Sequence, residues 1–162
     1  MTFTLLPLSR AQLEALSASR IPAEFASRAE NGSLPPAFVA VRALKLGDQG
    51  QPFPWSTSFL IVRDEGERFV GACGFKSAPQ AGRVEVGYGV APAARQSGAA
   101  TAALCMLTAL AFEAGAKEVL AEILPDNTAS TRVVQKAGFL QIGSRIDEDS
   151  DYVYQWLFRS GT

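Results

Sequence analysis

Alternating apolar and polar stretches in the middle of the chain predict a β-hairpin followed by a third strand. Residues 59–62 and 69–75 are apolar runs on either side of a polar turn, which is typical of two paired antiparallel strands. Residues 83–90 predict a third antiparallel strand. Because side chains alternate between the faces of a strand, Tyr88 and three valines share one face, while Glu85 and two glycines share the other. A face of this second kind is poor core but leaves room for a ligand.

After residue 92 the pattern changes to a helical period. Leu104, Leu107 and Ala111 follow Ala100 at helical spacing, and Gly115 ends the helix. Further along we predict a strand at 119–124, a short helix at 127–137, and strands at 139–142 and 152–158 around an acidic turn at 147–151. Hairpins followed by strands that are separated by crossover helices predict a mixed sheet.

The first third of the chain gives weaker signals. Ser9 and Gln12 form a capping-box pattern that predicts a helix. A second helix is predicted at 23–30, and a loop at 44–58 that is rich in Gly, Pro and Gln. The two aromatic residues of this loop either shape a binding pocket or, more simply, pack against the fold.

Composition limits the classes of protein that remain. The 162 residues are enough for one domain spanning 1–162, and 15 basic against 16 acidic residues give a formal charge of -1. The sequence lacks the clustered excess of basic residues that is typical of nucleic-acid-binding proteins. The longest charge-free stretch is too short to span a membrane, and the N-terminal segment lacks the pattern of a signal peptide. We therefore expect a cytoplasmic protein that binds neither nucleic acid nor membrane.

The absence of histidine restricts the chemistry. It excludes nucleophiles activated by imidazole and zinc sites with histidine ligands. Cys73 and Cys105 lie far apart among apolar residues, so we expect buried, reduced thiols and no metal. Any proton transfer must use a carboxylate, Lys, Tyr, Cys or water.

A loop of small residues precedes the predicted alanine-rich helix. The segment RQSGAA at 95–100 puts Gly98 and two alanines where unpaired N–H groups and the positive end of the helix dipole can bind a phosphate. Small residues needed only for packing would give the same pattern. On the preceding strand, Glu85 either acts as a base that deprotonates an amine or pairs with Lys76 at the surface.

Three stretches together resemble the GNAT superfamily of acyl-CoA-dependent N-acyltransferases, closest to its ribosomal-protein N-terminal acetyltransferase-like branch. They are EVGYGVAP at 85–92, RQSGAATAAL at 95–104 and DNTASTRVVQKAGF at 126–139. The resemblance implies an α/β (α+β) fold whose central sheet is mixed, mostly antiparallel and splayed, with helices on both faces. It also implies acetyl-CoA as cosubstrate, no metal, and an amine-bearing small molecule or a protein N-terminus as acceptor.

The resemblance carries site roles over to matching positions. Glu85 matches a general base, and Ser130 matches a serine near the leaving thiolate. The positions that match cofactor-binding residues are Tyr88, Val90, Arg95, Gln96, Ser97, Gly98, Ala99, Ala100, Asn127 and Ser130. Val134 stands where many relatives carry a tyrosine that protonates the thiolate, which leaves Ser130, water or no acid at all.

Two other functions fit the same sequence. A non-catalytic acyl-CoA sensor would need the binding residues alone, and a nucleotide-binding protein could use the same helix start. The nearly charge-free helix from Ala99 also suggests the face of a homodimer.

Overall fold

The computed structural model describes residues 2–161, which form a seven-stranded sheet with helices on both faces. The strands are β1 (Phe3–Pro7), β2 (Ser58–Arg63), β3 (Arg68–Phe75), β4 (Arg83–Val90), β5 (Glu118–Ile123), β6 (Leu140–Ile146) and β7 (Tyr152–Arg159). The helices are α1 (Arg10–Ser17), α2 (Ala37–Asp48), α3 (Ala99–Glu113) and α4 (Thr128–Lys136). The strand order is β1-β2-β3-β4-β5-β7-β6, and neighbours are antiparallel except for β4 and β5. The expected mixed, mostly antiparallel sheet is confirmed.

The parallel strands β4 and β5 stay together only at their starts. Their register runs from Arg83 opposite Glu118 to Glu85 opposite Leu120. Beyond that point β4 continues to Val90 beside β3 alone. The sheet is therefore splayed in the middle, as expected.

Each face of the sheet carries its own apolar core. The core beneath α3 and α4 includes Leu104, Leu107 and Val134, none of which is exposed. The core beneath α1 and α2 includes Leu13 and Leu60. Burial of these two apolar layers holds the helices against the sheet. No helix within residues 2–161 combines the length and apolarity that a membrane crossing requires.

The helix predicted at 23–30 is wrong, because only a single 3₁₀ turn forms there, at Ala23–Phe25. The chain that follows pairs with β3 instead. The N–H of Phe69 donates to the carbonyl of Arg28 at 2.8 Å, and the N–H of Glu30 donates to the carbonyl of Phe69 at 3.0 Å. These main-chain hydrogen bonds to a strand satisfy groups that a helix would have paired locally.

Two elements of the first third were not predicted. The strand β1 is a short, mostly exposed edge strand that lacks clear alternation. The helix α2 begins after Pro36 without a side-chain cap and runs into the segment predicted as a loop from residue 44. The loop begins only after Asp48.

The cysteine prediction is right for one residue and wrong for the other. Cys73 is buried, as expected, whereas Cys105 is exposed. The buried stripe of α3 runs through Leu104 and Leu107, and Cys105 lies one position to the side of it, on the outer surface. Whether this outer surface forms a homodimer stays a prediction.

Candidate functional site

A cavity of about 690 Å³ lies where β4 and β5 diverge. Its lining includes small strand residues (Ala72, Gly74, Gly87, Gly89) and residues of α2 (Phe38, Val39, Arg42). It also includes Glu122 of β5, Leu124 just after it, and Glu148 and Asp149 of the turn between β6 and β7. The volume is in the range that small-molecule sites occupy.

The two glycines of β4 keep the cavity open, as the alternation pattern predicts. A Cβ added at Gly89 would meet no atom within 4 Å, and one at Gly87 would lie 3.4 Å from the Cε of Lys76. Side chains at these positions would occupy the space that a ligand needs.

The main chain of β4 faces the gap at alternate residues. The N–H of Ala91 donates to the carbonyl of Val70 at 2.8 Å, in the ladder with β3. In an antiparallel pair, every second residue bonds to the partner strand and the others point away from it. Tyr88 and Val90 therefore direct their N–H and C=O groups away from β3, where β5 no longer pairs with β4.

The loop before α3 is wound tightly. Gln96 and Gly98 have positive φ angles of 62° and 86°, a region that glycine adopts without strain. The hydroxyl of Ser97 donates to the carbonyl of Ala94 at 2.6 Å and accepts a long hydrogen bond of 3.4 Å from the N–H of Ala99.

The first turn of α3 is otherwise uncapped. Within residues 2–161, the N–H groups of Ala100 and Thr101 meet no hydrogen-bond acceptor. Gly98 is exposed, and so is Arg95, whose side chain makes no hydrogen bond or ion pair with a described residue. The N–H of Arg95 donates a long hydrogen bond of 3.4 Å to the carbonyl of Pro92. The positive end of a 15-residue helix is thus open to solvent, which suits an anion.

A second helix start lies across the gap. The Oδ1 of Asn127 accepts from the N–H of Ser130 at 3.1 Å and so caps α4. The hydroxyl of Tyr88 donates a long hydrogen bond of 3.5 Å to the Ser130 carbonyl, and all three residues line the cavity. Burial raises the pKa of Tyr88, so its phenol stays protonated at neutral pH. Val134 has no exposed surface and offers no proton.

Glu85 lies in the cavity and is also paired. Its Oε2 accepts from the Nζ of Lys76 at 2.7 Å, and its side chain is 21% exposed. Both interpretations made from the sequence thus fit the geometry. Among the described residues, Oε1 has no hydrogen-bond partner, so one oxygen is left for a ligand or water.

The sequence reasoning missed two charged residues of the cavity, and Glu122 is the first. Its side chain is only 5% exposed, and it accepts from Arg145 at 2.7 Å and from Gln155 at 2.9 Å. The hydrogen bond from Arg145 is the main reason that its pKa is lowered. Alternation along the predicted strand at 119–124 could have placed this carboxylate on the same face as Glu85.

The second missed residue is Arg42, on α2. It lines the cavity and is half-buried, and no signal could have placed it there because α2 itself was not predicted. The two aromatic residues of the predicted loop are not in the lining. Trp55 is buried against Phe75 at a ring distance of 4.8 Å, and Phe53 packs on Phe59, so the packing interpretation is right.

The acidic turn at 147–151 is stabilised by its own hydrogen bonds and also borders the cavity. The Oδ1 of Asp147 accepts from the N–H groups of Asp149 and Asp151, each at 2.9 Å, which stabilises the turn. Glu148 and Asp149 also line the cavity. The turn is therefore structural and lies beside the site.

Comparison with known families and structures agrees with this geometry. Residues 3–140 match the model of the acetyltransferase (GNAT) domain, whereas no curated protein matches the chain significantly. A ribosomal-protein alanine acetyltransferase from Vibrio fischeri is 12% identical, with a TM-score of 0.69 over 98% of this chain and 93% of its own.

Two further structures contain coenzyme A or a derivative of it. RimJ from Mycobacterium smegmatis, in complex with CoA-disulfide, is 20% identical, with a TM-score of 0.69 over 98% of this chain and 82% of its own. An aminoglycoside acetyltransferase in complex with coenzyme A is 16% identical, with a TM-score of 0.68 over 98% of this chain and 95% of its own. At these identities the likeness establishes a shared fold.

Proposed function

Because the chain belongs to the GNAT acetyltransferase family, we propose that it transfers the acetyl group of acetyl-CoA to a primary amine by direct attack of the amine on the thioester. The acceptor is either a small amine or a protein N-terminus. The single observation that supports this proposal most strongly is the uncapped start of α3. It follows β4 along the chain and lies outside the lining of the cavity between β4 and β5.

The cofactor would bind along this gap. The N–H groups of the loop and first helical turn, from Arg95 to Ala100, would hold the pyrophosphate, and Arg95 would add a positive charge. The main chain of Tyr88 and Val90 would bind the pantetheine arm, together with the amide nitrogen of Asn127, which has no partner among the described residues. The thioester end would then lie in the cavity beside Ser130.

The transfer itself needs one base and stabilisation of two developing charges. Glu85, or a water on its Oε1, takes a proton from the ammonium, and the freed nitrogen lone pair attacks the carbonyl carbon. N–H groups between Tyr88 and Val90 stabilise the charge on the thioester oxygen. As the C–S bond breaks, the nitrogen loses its second proton, which passes to the sulfur directly or through the hydroxyl of Ser130 or Tyr88. That hydroxyl otherwise donates a hydrogen bond to the leaving thiolate. Most of the rate gain comes from holding the amine against the thioester.

The experiment that tests cofactor binding uses Ala100→Asp. Ala100 is half-buried in the first turn of α3. A carboxylate at this position stabilises the helix through its dipole but repels a phosphate. We expect at least a tenfold loss of acetyl-CoA affinity with thermal stability kept. Ala100→Asn is the neutral control and should bind acetyl-CoA several-fold better than the aspartate variant.

Ligand-induced stabilisation distinguishes acetyl-CoA from nucleotides. At a ligand concentration about 100-fold above the dissociation constant, stability rises by roughly 2.7 kcal/mol. A rise in Tm with acetyl-CoA, but not with ATP or NAD, is expected. Equal binding of Ala100→Asp and the wild-type protein would contradict the site, and acetyl-CoA binding with no thiol release from any amine would indicate a sensor.

A further inference from the structure

The acceptor side of the cavity holds an arginine side chain with no partner among the described residues. The guanidinium of Arg42 makes no hydrogen bond or ion pair with any residue between 2 and 161, although it is half-buried and lines the cavity. Burial is the main cause that lowers its pKa, and the charge of Glu85 acts in the opposite direction. A guanidinium withdrawn from water in this way is stabilised by an anion.

The charges nearest to Arg42 leave an excess of one positive charge. Lys76 and Glu85 form an ion pair at 2.7 Å, so the carboxylate of Glu85 already has a cationic partner. Two cations and one anion therefore face the same part of the cavity. A ligand with a single negative charge would balance them.

The opposite wall is negatively charged, so the positive excess is local to Arg42. Glu122 and Glu148 both accept from the same Arg145, at 2.7 and 3.2 Å. The remaining carboxylate in the lining is Asp149, in the exposed turn. Three carboxylates against one arginine leave this wall with two negative charges. Those of the exposed turn lie where water screens them, so the charges beside Arg42 decide which group binds there.

A buried hydroxyl in the same lining independently indicates a polar ligand. Ser33 is 1% exposed, and its Oγ has no hydrogen-bond partner among the described residues. Buried polar groups are rarely left without a partner in a native protein. Ser33 is one of the residues that line the cavity, so this unsatisfied group lies next to the space that a ligand would fill.

We propose that the acceptor is an amine that carries a carboxylate, and that Arg42 binds this carboxylate while the amine faces Glu85. The proposal rests on the acetyl transfer proposed above. A guanidinium can bind a carboxylate through two parallel hydrogen bonds, and a monoanion fits the excess charge, whereas a phosphate dianion would be repelled by Glu85. Free amino acids, and peptides with an acidic residue next to the N-terminus, both present this chemistry.

Matched acceptor pairs test the proposal through thiol release from acetyl-CoA. One arm compares β-alanine with β-alaninamide. The other compares tripeptides that begin Ala-Asp with those that begin Ala-Asn, and 1,4-diaminobutane represents cationic acceptors. We expect the wild-type enzyme to favour the acid of one or both pairs by about tenfold to 100-fold in kcat/KM. The arm with the larger preference identifies the source of the carboxylate.

Variants then assign this preference to Arg42. Arg42→Gln should bring the acid-to-amide ratio close to one, mainly through KM, and Arg42→Lys should retain part of it because the charge remains without the planar fork. Lys45→Gln is the matched control, since Lys45 is an exposed cation of the same helix outside the cavity lining. The intrinsic reactivities of the two amines cancel because the ratios are compared between variants.

The outcomes separate this proposal from the proposed function. Acetylation of amides or diamines at least as fast as of acids, or an equal loss for both members of a pair in Arg42→Gln and Arg42→Lys, would overturn the carboxylate site and leave acetyl transfer intact. If acetyl-CoA raises the Tm of neither the wild-type protein nor Arg42→Gln, the proposed function itself fails. Acetyl-CoA binding without acetylation of any amine contradicts both.

Discussion

Replacing Glu85 by glutamine removes the proposed base while almost preserving the shape of the cavity. The amide cannot take a proton from the acceptor, so we expect kcat to fall by about 100-fold or more. The acetyl-CoA affinity should be unchanged because the carboxylate lies on the acceptor side, away from the start of α3.

The same substitution breaks the ion pair with Lys76, and the structure shows how much that matters. The Lys76 side chain is 40% exposed and can turn to water. Loss of such a partly exposed pair costs at most about 1 kcal/mol of stability. A fall in activity of 100-fold therefore cannot come from unfolding, and equal Tm values within a few degrees would verify this.

Lys76→Met is the matched variant because it breaks the same ion pair and leaves the carboxylate in place. If Glu85 is the base, Lys76→Met should lose less than about tenfold in kcat, far less than Glu85→Gln. The assay is thiol release at saturating acetyl-CoA with one acceptor. Equal losses in the two variants would mean that the ion pair only shapes the cavity, and unchanged turnover in Glu85→Gln would remove Glu85 from the mechanism.

Four further outcomes are expected. Glu122→Gln should lower the free energy of unfolding at pH 7 by about 1–3 kcal/mol. Because Arg145 lowers the folded-state pKa of Glu122, the difference between variant and wild type should shrink as the pH falls below about 4. A difference in urea unfolding that stays constant with pH would contradict this. One thiol per native chain, Cys105, should react with a thiol reagent at pH 8, since burial raises the pKa of Cys73 to about 12; two reactive native thiols would refute it. Ser33→Ala should keep its Tm yet raise the acceptor KM several-fold, because its hydroxyl has no partner among residues 2–161. An unchanged KM would exclude a ligand contact. Tyr88→Phe should lower kcat by less than about tenfold if Ser130 assists the thiolate, and by more if the phenol does.

The parts of the site that could be predicted depend on short stretches of chain. The alternation around Glu85 and the loop from Arg95 to Ala100 each lie within one strand or one turn, so residue order alone gives their faces and exposed N–H groups. The splayed sheet followed from the resemblance to a family. The absence of an acid at Val134 is likewise visible in the sequence, and its complete burial agrees.

The missed parts depend on contacts between distant segments. The segment at 23–30 has helical residues, yet main-chain bonds between its last residues and Phe69, about 40 positions away, end the helical turns after Phe25. Arg42 reaches the cavity because α2 packs across β2, a contact that no local pattern encodes. For Glu122, the alternation of residues along β5 gives the face of the sheet on which the side chain lies. It does not reveal the hydrogen bonds from Arg145, which lies on β6, two strands away.

The two sides of the cavity differ in whether main-chain groups or side chains build them. The thioester side of the cavity is built from the main chain of β4 and the starts of α3 and α4, and main-chain groups constrain the identity of side chains only weakly. The acceptor side is built from side chains of α2, of the residues before it and of the acidic turn. A change in any of these side chains alters charge without disturbing the strand pairing that opens the gap. On the proposed carboxylate site, acceptor specificity would therefore change through residues such as Arg42 and Ser33 while the thioester side remains intact.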